Sequence, residues 1–495
     1  MQNVLEYLDS AVQQFPNKVA IAMKEENYTF SQLKNLSRRL AAQIPCNIRK
    51  SPIIVFANRQ ANVAILFLAT LYSGNFYVPV DPDMPYEKIQ AIIDDARPRV
   101  ILGDDETRNL LSMIDFEGLF LTMQSITDKL CEYPQTEKDA PLYMVYTSGS
   151  TGKPKGVLKS HGAVISYMEA YCDTFGFAND DIIGNQTPFF FDASAKDFYL
   201  MLKTGATIEI IPTELFSMPP MLVEYLNEKK ITFISWVPTA LSIVAQLRTF
   251  TYVLPTTLRK VFFVGEVMPM KHLNKWRQAL PQLEYVNLYG SSEIAGISCY
   301  YVVQGQFEDS DVLPMGHPLS NCKIYLIDDD KIVTESNHIG EIFVVSDALA
   351  LEYYHDIEKT SECFLQKDFG EGIVRCFKTG DLAQYDDDGN LVFASRVDYQ
   401  IKHMGHRIEL GEIEAVANSL PEIQRCCCLY DNKKSKIVLL CEITRECESI
   451  TGQQIQSLLR PKLSSYMLPS RVIKMDELPL NANGKIDRQA LKLQI

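Results

Sequence analysis

Twelve residues, Tyr146 to Val157, hold three glycines, four Ser/Thr hydroxyls and two lysines: Thr147, Ser148, Gly149, Ser150, Thr151, Gly152, Lys153, Lys155 and Gly156. Glycines let backbone N–H groups turn inward, hydroxyls add short donors, and lysines add full positive charge. That is the chemistry of a loop that wraps a polyphosphate. The same composition also suits a solvated turn. The spacing is not that of a Walker A loop, because Pro154 follows Gly152-Lys153 where Ser or Thr is required, and no G-x-G-x-x-G run is present. Lys153, Lys155, Lys159 and His161 form a local basic cluster. A second chemical group is Asp192, whose flanks are apolar on the Phe189–Phe191 side. Such a carboxylate either pairs with a cation or caps a helix by bonding its own backbone. His403 and His406 suggest a metal, but no cysteine or acidic cluster at ligand spacing accompanies them, so no metal is expected there.

These groups must be carried by a large soluble body. At 495 residues the chain exceeds one simple core, given about 150 residues per domain. Hydrophobic residues at 46% and charged residues at 22% are those of an ordinary globular enzyme. The net charge of −14 argues against bulk nucleic-acid binding. Twelve cysteines are spread without any C-x-x-C pair, which suits a reduced, cytoplasmic protein. The acidic start of the chain lacks the basic flank of a signal peptide. Ala61–Val80 is uncharged, but Gly74 and Pro79 divide it into a core helix to Tyr72 and a buried strand Phe76–Val80 rather than a membrane span.

Apolar runs at Pro52–Ala57, Val100–Leu102, Thr207–Ile211, Phe233–Val237 and Val261–Val264 predict strands, with helices such as Ser31–Gln43 and Met221–Glu228 before or between them. This is the rhythm of doubly wound parallel sheets. Lys323–Asp328, Glu341–Val345 and Leu391–Ala394 predict a small β-rich subdomain, with a hairpin turn at Asp386–Asn390. After Arg396 the pattern becomes mixed: a helix at Gly411–Asn418, strands at Cys426–Tyr430 and Ile437–Ile443, and a helix at Ile455–Arg460.

The Tyr146–Val157 run resembles, nearly letter for letter, the phosphate-binding signature of the adenylate-forming superfamily. That group includes acyl-CoA ligases, luciferases and the amino-acid adenylation domains of nonribosomal peptide synthesis. Further resemblances follow in family order: Tyr28–Leu33, Tyr77–Pro82, Phe191–Ser194, Asn287–Glu293, Phe377–Asp381, Ser395–Asp398, Gln400–Glu412 and Asn483–Asp487. Ser291 and Ser292 stand where the family usually has Pro-Thr, Ser395 replaces a usual Gly, and Met404 stands where Arg is common.

The resemblance implies an α/β fold. A large N-terminal domain, 1–397, would hold two doubly wound sheets and a small β-barrel-like subdomain. A mobile α+β C-terminal lid, 398–495, would hinge at Asp398. It also implies ATP and Mg²⁺ as small-molecule requirements. Thr147, Ser148, Gly149, Ser150, Thr151, Gly152 and Lys155 would hold the phosphates. Asn287, Leu288, Tyr289, Gly290, Ser291 and Ser292 would surround the adenine and α-phosphate, Asp381 would accept the ribose hydroxyls, and Arg396 would contact ribose or phosphate. Glu293 would bind the metal. Lys485 would be catalytic, Gly405 would lie on the loop used in thioester formation, and Asp192 would grip the substrate ammonium.

The implied substrate pocket comprises Asp192, Ala193, Lys196, Ser235, Phe262, Val264, Leu288, Gly296 and Ile297. Lys196 is unusual there. Its ammonium either snorkels away, the favoured reading, or meets an acidic or polar substrate side chain. The expected activity is that of an amino acid–carrier-protein ligase, in two steps. ATP and an amino acid give an aminoacyl adenylate and pyrophosphate, and the acyl group then passes to the phosphopantetheine thiol of a separate carrier protein. No carrier segment follows Asp487, which is why a freestanding partner is expected. The Gly265-Glu266-Val267 run resembles that of D-alanine–carrier-protein ligases, the main alternative. An acyl- or aryl-CoA ligase is a further one, disfavoured by an Asp192 that would repel a plain acid.

Overall fold

The computed structural model describes the chain except residues 133–134, 148–153, 247, 398–399, 432–433, 445–446, 448, 480–485, 487 and 493–494. The described residues form two compact units. One comprises 1–82, 95–145 and 156–397, the other 83–94, 146–155 and 398–495.

In the larger unit, uninterrupted apolar runs become parallel strands, because a strand covered on both faces has no polar side to present. Every residue of Pro52–Phe56 and of Phe76–Val80 is buried, and the two strands pair in parallel. They sit centrally in a seven-stranded sheet ordered Glu352–Tyr353, Lys155–Ser160, Pro141–Thr147, Phe76–Val80, Pro52–Phe56, Val100–Leu102 and Leu119–Leu121. Val63–Tyr72 is a helix buried on all sides, hence a core helix, and its 10 residues fall short of the roughly 20 a membrane span needs. No helix among the described residues is long and apolar enough to cross a membrane.

A second, nine-stranded sheet has the parallel series Glu284–Tyr289, Lys260–Val264, Phe233–Trp236, Ile182–Asn185, Thr207–Ile210 and Val19–Met23 at its centre. Antiparallel strands flank it, Glu26–Thr29 on one side and Cys299–Val302 with His317–Pro318 on the other. Val19–Met23 and Glu26–Thr29 carry lysine, glutamate and asparagine at or between their ends, so they lack the pure apolar signal of the inner strands. An antiparallel six-stranded sheet is built on Ile373–Tyr385, with Leu391–Arg396 beside it. The expected turn between these two strands forms: Asp386 Oδ1 accepts from the backbone N–H groups of Asp388 at 3.1 Å and Asn390 at 2.7 Å.

The smaller unit holds the hairpin Gln400–His403/His406–Glu409 and the three-stranded sheet Ile423–Asp431, Lys436–Ile443 and Arg471–Met475. Helices Leu410–Asn418 and Gly452–Leu459 accompany them, the second opened by a Thr451/Gln454 capping box. All twelve cysteines are free thiols, and burial pushes Cys428 well above its ordinary pKa.

Candidate active site

The strand Lys155–Ser160 runs straight into the helix His161–Phe175, whose first turn is capped by Ser160 Oγ accepting from Ala163 N at 3.1 Å. Lys159, one residue before that cap, is fully buried. It reaches Asp192 Oδ1 at 2.5 Å and the Tyr143 hydroxyl at 3.2 Å. Tyr143, from the strand Pro141–Thr147, donates its own hydroxyl to Asp192 Oδ1 at 2.9 Å. Burial pulls the Lys159 ammonium below its ordinary pKa, while the Asp192 carboxylate acts to hold it up. Asp192 opens a short 3₁₀ turn ahead of the helix Ala195–Thr204, but its side chain caps neither. The rival reading of Asp192 as a helix cap therefore does not hold.

The basic cluster expected of Lys159 and His161 does not form a solvent-facing patch. Lys159 is consumed by Asp192, and His161 accepts from Val4 N at 3.3 Å, its imidazole pushed by burial down to about 3. Each is carried inward because the strand and the first helical turn face the core.

Beside Asp192 lies a small cavity, walled by Phe67, Tyr77, Tyr143, Phe189, Phe191 and Phe198 among others. Its walls are ordered by ring contacts: Phe67 stacks on Tyr77 at 4.1 Å between centroids, and Tyr77 on Tyr143 at 5.4 Å. The Tyr77 and Tyr199 hydroxyls bond at 2.7 Å behind them. Of the nine expected pocket residues, only Asp192 lines this cavity.

The others are placed as follows. Ser235 and Phe262 sit opposite each other on neighbouring strands, as do Val264 and Leu288. Phe262 is fully buried among Phe175, Phe177 and Phe233. Ile297 is buried, and Ala193 is half-buried in the turn with Asp192. Lys196 corrects the snorkelling expectation. It is buried, with its ammonium 3.0 Å from the Ala193 carbonyl, 3.5 Å from the Ser235 carbonyl and 3.2 Å from Asp197 Oδ1. The first helical turn points it at main-chain acceptors, so it has no need of water.

The nucleotide-binding candidates gather at the carboxyl end of Glu284–Tyr289, where ligands of parallel sheets bind. Asn287 Nδ2 donates to the Pro314 carbonyl at 2.7 Å, which turns Oδ1 away as an acceptor suited to an adenine amino group. Gly290 and Gly296 close the following turn: a Cβ on Gly290 would lie 2.5 Å from Gly296 O, and one on Gly296 2.2 Å from the Tyr167 ring. Between them Ser291 Oγ is buried without a hydrogen-bond partner among the described residues.

Asp381 and Arg396 face each other across paired strands and form an ion pair. The Tyr289 hydroxyl donates to Asp381 Oδ2 at 2.5 Å, so Tyr289, expected beside the adenine, also orients the carboxylate expected at the ribose. Glu293 is buried and accepts from the Tyr353 hydroxyl at 2.7 Å. Tyr353 pairs opposite Val157, so Glu293 is tied to the strand Lys155–Ser160. A hard divalent cation takes carboxylate oxygens, and Glu293, oriented by Tyr353, fits that donor chemistry.

Thr147 ends its strand half-buried, and Lys155 begins the next with Nζ 3.7 Å from Glu409 Oε1 in the same unit. Ser148, Gly149, Ser150, Thr151, Gly152, Asp398 and Lys485 lie outside the described residues. Gly405 and Met404 form a two-residue hairpin turn with φ of 80° and 52°. His406 stacks on Tyr466 at 3.5 Å, and no group of three metal-ligating side chains converges among the described residues. Glu266, of the run resembling D-alanine ligases, accepts from Thr239 N at 3.0 Å and so supports the helix Pro238–Gln246.

Tyr143 and Lys159 were not singled out as pocket residues from sequence. Their signal was a lysine two residues after Val157 on one strand, a charge at an inward position.

The AMP-binding enzyme family matches residues 8–354, and the AMP-binding enzyme C-terminal domain matches residues 412–485. The chain is 29% identical to tyrocidine synthase 1 of Brevibacillus parabrevis over 99% of its own length, spanning 45% of that protein. It is 29% identical to zwittermicin A synthase ZmaJ of Bacillus cereus, over 97% of this chain and 92% of that one. The solved structure of holo-PA1221, a nonribosomal-peptide-synthetase protein containing adenylation and PCP domains, superposes with a TM-score of 0.85 at 20% identity, covering 100% of this chain and 84% of the other. With a carboxylate–arginine pair, a buried acidic residue and an Asp192 cavity in family order, the chain belongs to the AMP-binding enzymes, as an adenylate-forming enzyme of the nonribosomal-peptide-synthetase adenylation-domain kind.

Proposed function

We propose that the protein activates an amino acid as its aminoacyl adenylate, releasing pyrophosphate, and transfers the acyl group to the phosphopantetheine thiol of a separate carrier protein. The observation that carries this reading is Asp192. It stands at the edge of an aromatic-walled cavity, caps no helix, and has Oδ2 without a hydrogen bond among the described residues. A carboxylate among aromatic walls is a receptor for a substrate ammonium.

Asp381, aimed by Tyr289 and Arg396, would accept the ribose hydroxyls. Asn287 Oδ1 would accept from the adenine amino group. Glu293 would hold Mg²⁺, which when bound neutralises phosphate charge. Thr147 to Gly152 and Lys155 would hold the departing pyrophosphate, and Lys485 would stabilise charge on the equatorial oxygens as the carboxylate attacks the α-phosphorus. Residues 398–495 would then swing about Asp398 to bring Gly405 to the thiol.

Amino-acid-dependent pyrophosphate exchange across L-, D- and β-amino acids tests this directly. A signal with one amino acid supports the reading, and D-alanine as sole substrate selects the D-alanine ligase. Silence across the whole panel, or thioester formation on free CoA as good as on a carrier protein, overturns it.

A further inference from the structure

The carboxylate assigned to the substrate ammonium already has a cation of its own. Lys159 is fully buried, and its described partners are Asp192 Oδ1 at 2.5 Å and the Tyr143 hydroxyl at 3.2 Å. Tyr143 donates to that same Oδ1, so one oxygen of Asp192 takes two internal donors while Oδ2 takes none among the described residues. Asp192 keeps 15% of its side chain exposed and lines the cavity, whereas the Lys159 side chain keeps 0%. The protein therefore offers the substrate half of a neutralised ion pair.

A lone carboxylate attracts an ammonium and gains little from a hydroxyl. A carboxylate paired with a buried ammonium has no net charge, and a second ammonium brought to Oδ2 meets repulsion from the first. A hydroxyl donor at Oδ2 makes its hydrogen bond without that repulsion.

We propose that Lys159 is a specificity-determining positioning residue that neutralises Asp192 and widens the substrate class from amino acids to the corresponding α-hydroxy acids. The proposal rests on the reading of Asp192 as the α-substituent receptor. Lys159 acts through Asp192 and does not touch the reacting atoms. Activation of the hydroxy acid uses the same balanced step: a carboxylate oxygen bonds to the α-phosphorus of ATP, and pyrophosphate leaves with the electron pair of the broken P–O bond.

The test is pyrophosphate exchange with an amino acid and with the α-hydroxy acid of the same side chain and configuration, comparing kcat/KM. The wild-type ratio of amine to hydroxyl is expected below about tenfold, and Lys159→Met is expected to raise it to about a hundredfold or more, because the lone carboxylate then discriminates by charge. Tyr143→Phe removes a hydrogen bond from the same oxygen without changing charge. Its ratio is expected within about threefold of wild type, whereas a merely structural role for the cluster would move both variants alike. A wild-type ratio above about a hundredfold overturns the proposal without any variant, as does a ratio unchanged in a folded Lys159→Met protein.

The outcomes separate the two readings. Exchange with hydroxy acids alone sinks the amino-acid assignment and supports the role of Lys159. Strong amine selectivity that ignores Lys159 sinks this proposal and leaves the amino-acid assignment intact. No exchange with either class overturns both.

Discussion

Two lysine–aspartate pairs are buried within the same region, and they differ in what they leave open. Lys159 reaches Asp192 from a strand across the fold, and that carboxylate keeps surface toward a cavity. Lys196 sits beside Asp197 in the first turn of a helix, and both side chains are nearly sealed, at 3% and 1% exposed. Asp197 Oδ2 is further taken by Asn185 Nδ2 at 3.0 Å, and Lys196 by two main-chain carbonyls. The same chemical pair is thus a staple in one place and a receptor in the other. What decides is whether one acceptor oxygen is left facing space.

The comparison is broken most severely at Asp192. Asp192→Asn strands the Lys159 ammonium without a counter-charge, and removing one member of a buried pair costs about 3–5 kcal/mol. Thermal unfolding reads that loss, and amino-acid-dependent pyrophosphate exchange should fall by about a hundredfold or more. At the other pair, Lys196→Met should cost about 3 kcal/mol in unfolding experiments because Asp197 loses its cation. Exchange by the folded variant should keep kcat/KM within about threefold of wild type. A selective rise in KM for acidic amino acids would instead return Lys196 to the pocket.

His161 separates burial from pairing. It is buried without a counter-ion among the described residues and holds a pKa of about 3 against an ordinary 6.5. Its folded pKa is depressed, so the fold favours the neutral ring. The associated stability is complete above pH 6.5 and drains as pH falls toward 3. Between pH 6.5 and 5 that amounts to about 2 kcal/mol, and His161→Gln should flatten the acid limb of a stability–pH curve by that much.

The smallest effect distinguishes staple from receptor by repair. Lys196→Met combined with Asp197→Asn should regain about 1 kcal/mol or more over the single variant, since removing both charges relieves the stranded one. Lys159→Met combined with Asp192→Asn should regain stability likewise without regaining exchange.

Much of the framework could be read in advance because local composition decided it. Pro52–Phe56 and Phe76–Val80 are apolar at every position, and Asp386–Asn390 has the residues its turn demands. The edge strand Glu26–Thr29 escaped notice because half-exposed edges carry polar residues, and Val19–Met23, inside that edge, is a short run cut off by Lys24 and Glu25. The grouping of Asn287, Tyr289 and Glu293 was legible because all three fall on one strand end and the turn that follows it. The cavity was not, because Tyr77 and Tyr143 come from the other sheet and Phe67 from the helix Val63–Tyr72, and they meet Asp192 only in the folded chain. Lys159 stands 33 residues before its carboxylate, and no local pattern joins the two.

Gly296 bears on anyone who sets out to diversify this enzyme. Its φ of +92° excludes most side chains, and the Tyr167 ring occupies the place where a Cβ would go. A randomised library that includes position 296 as an expected pocket residue will lose that share of its clones to misfolding. Randomising Tyr167 alongside it clears the space but leaves the backbone restriction in place.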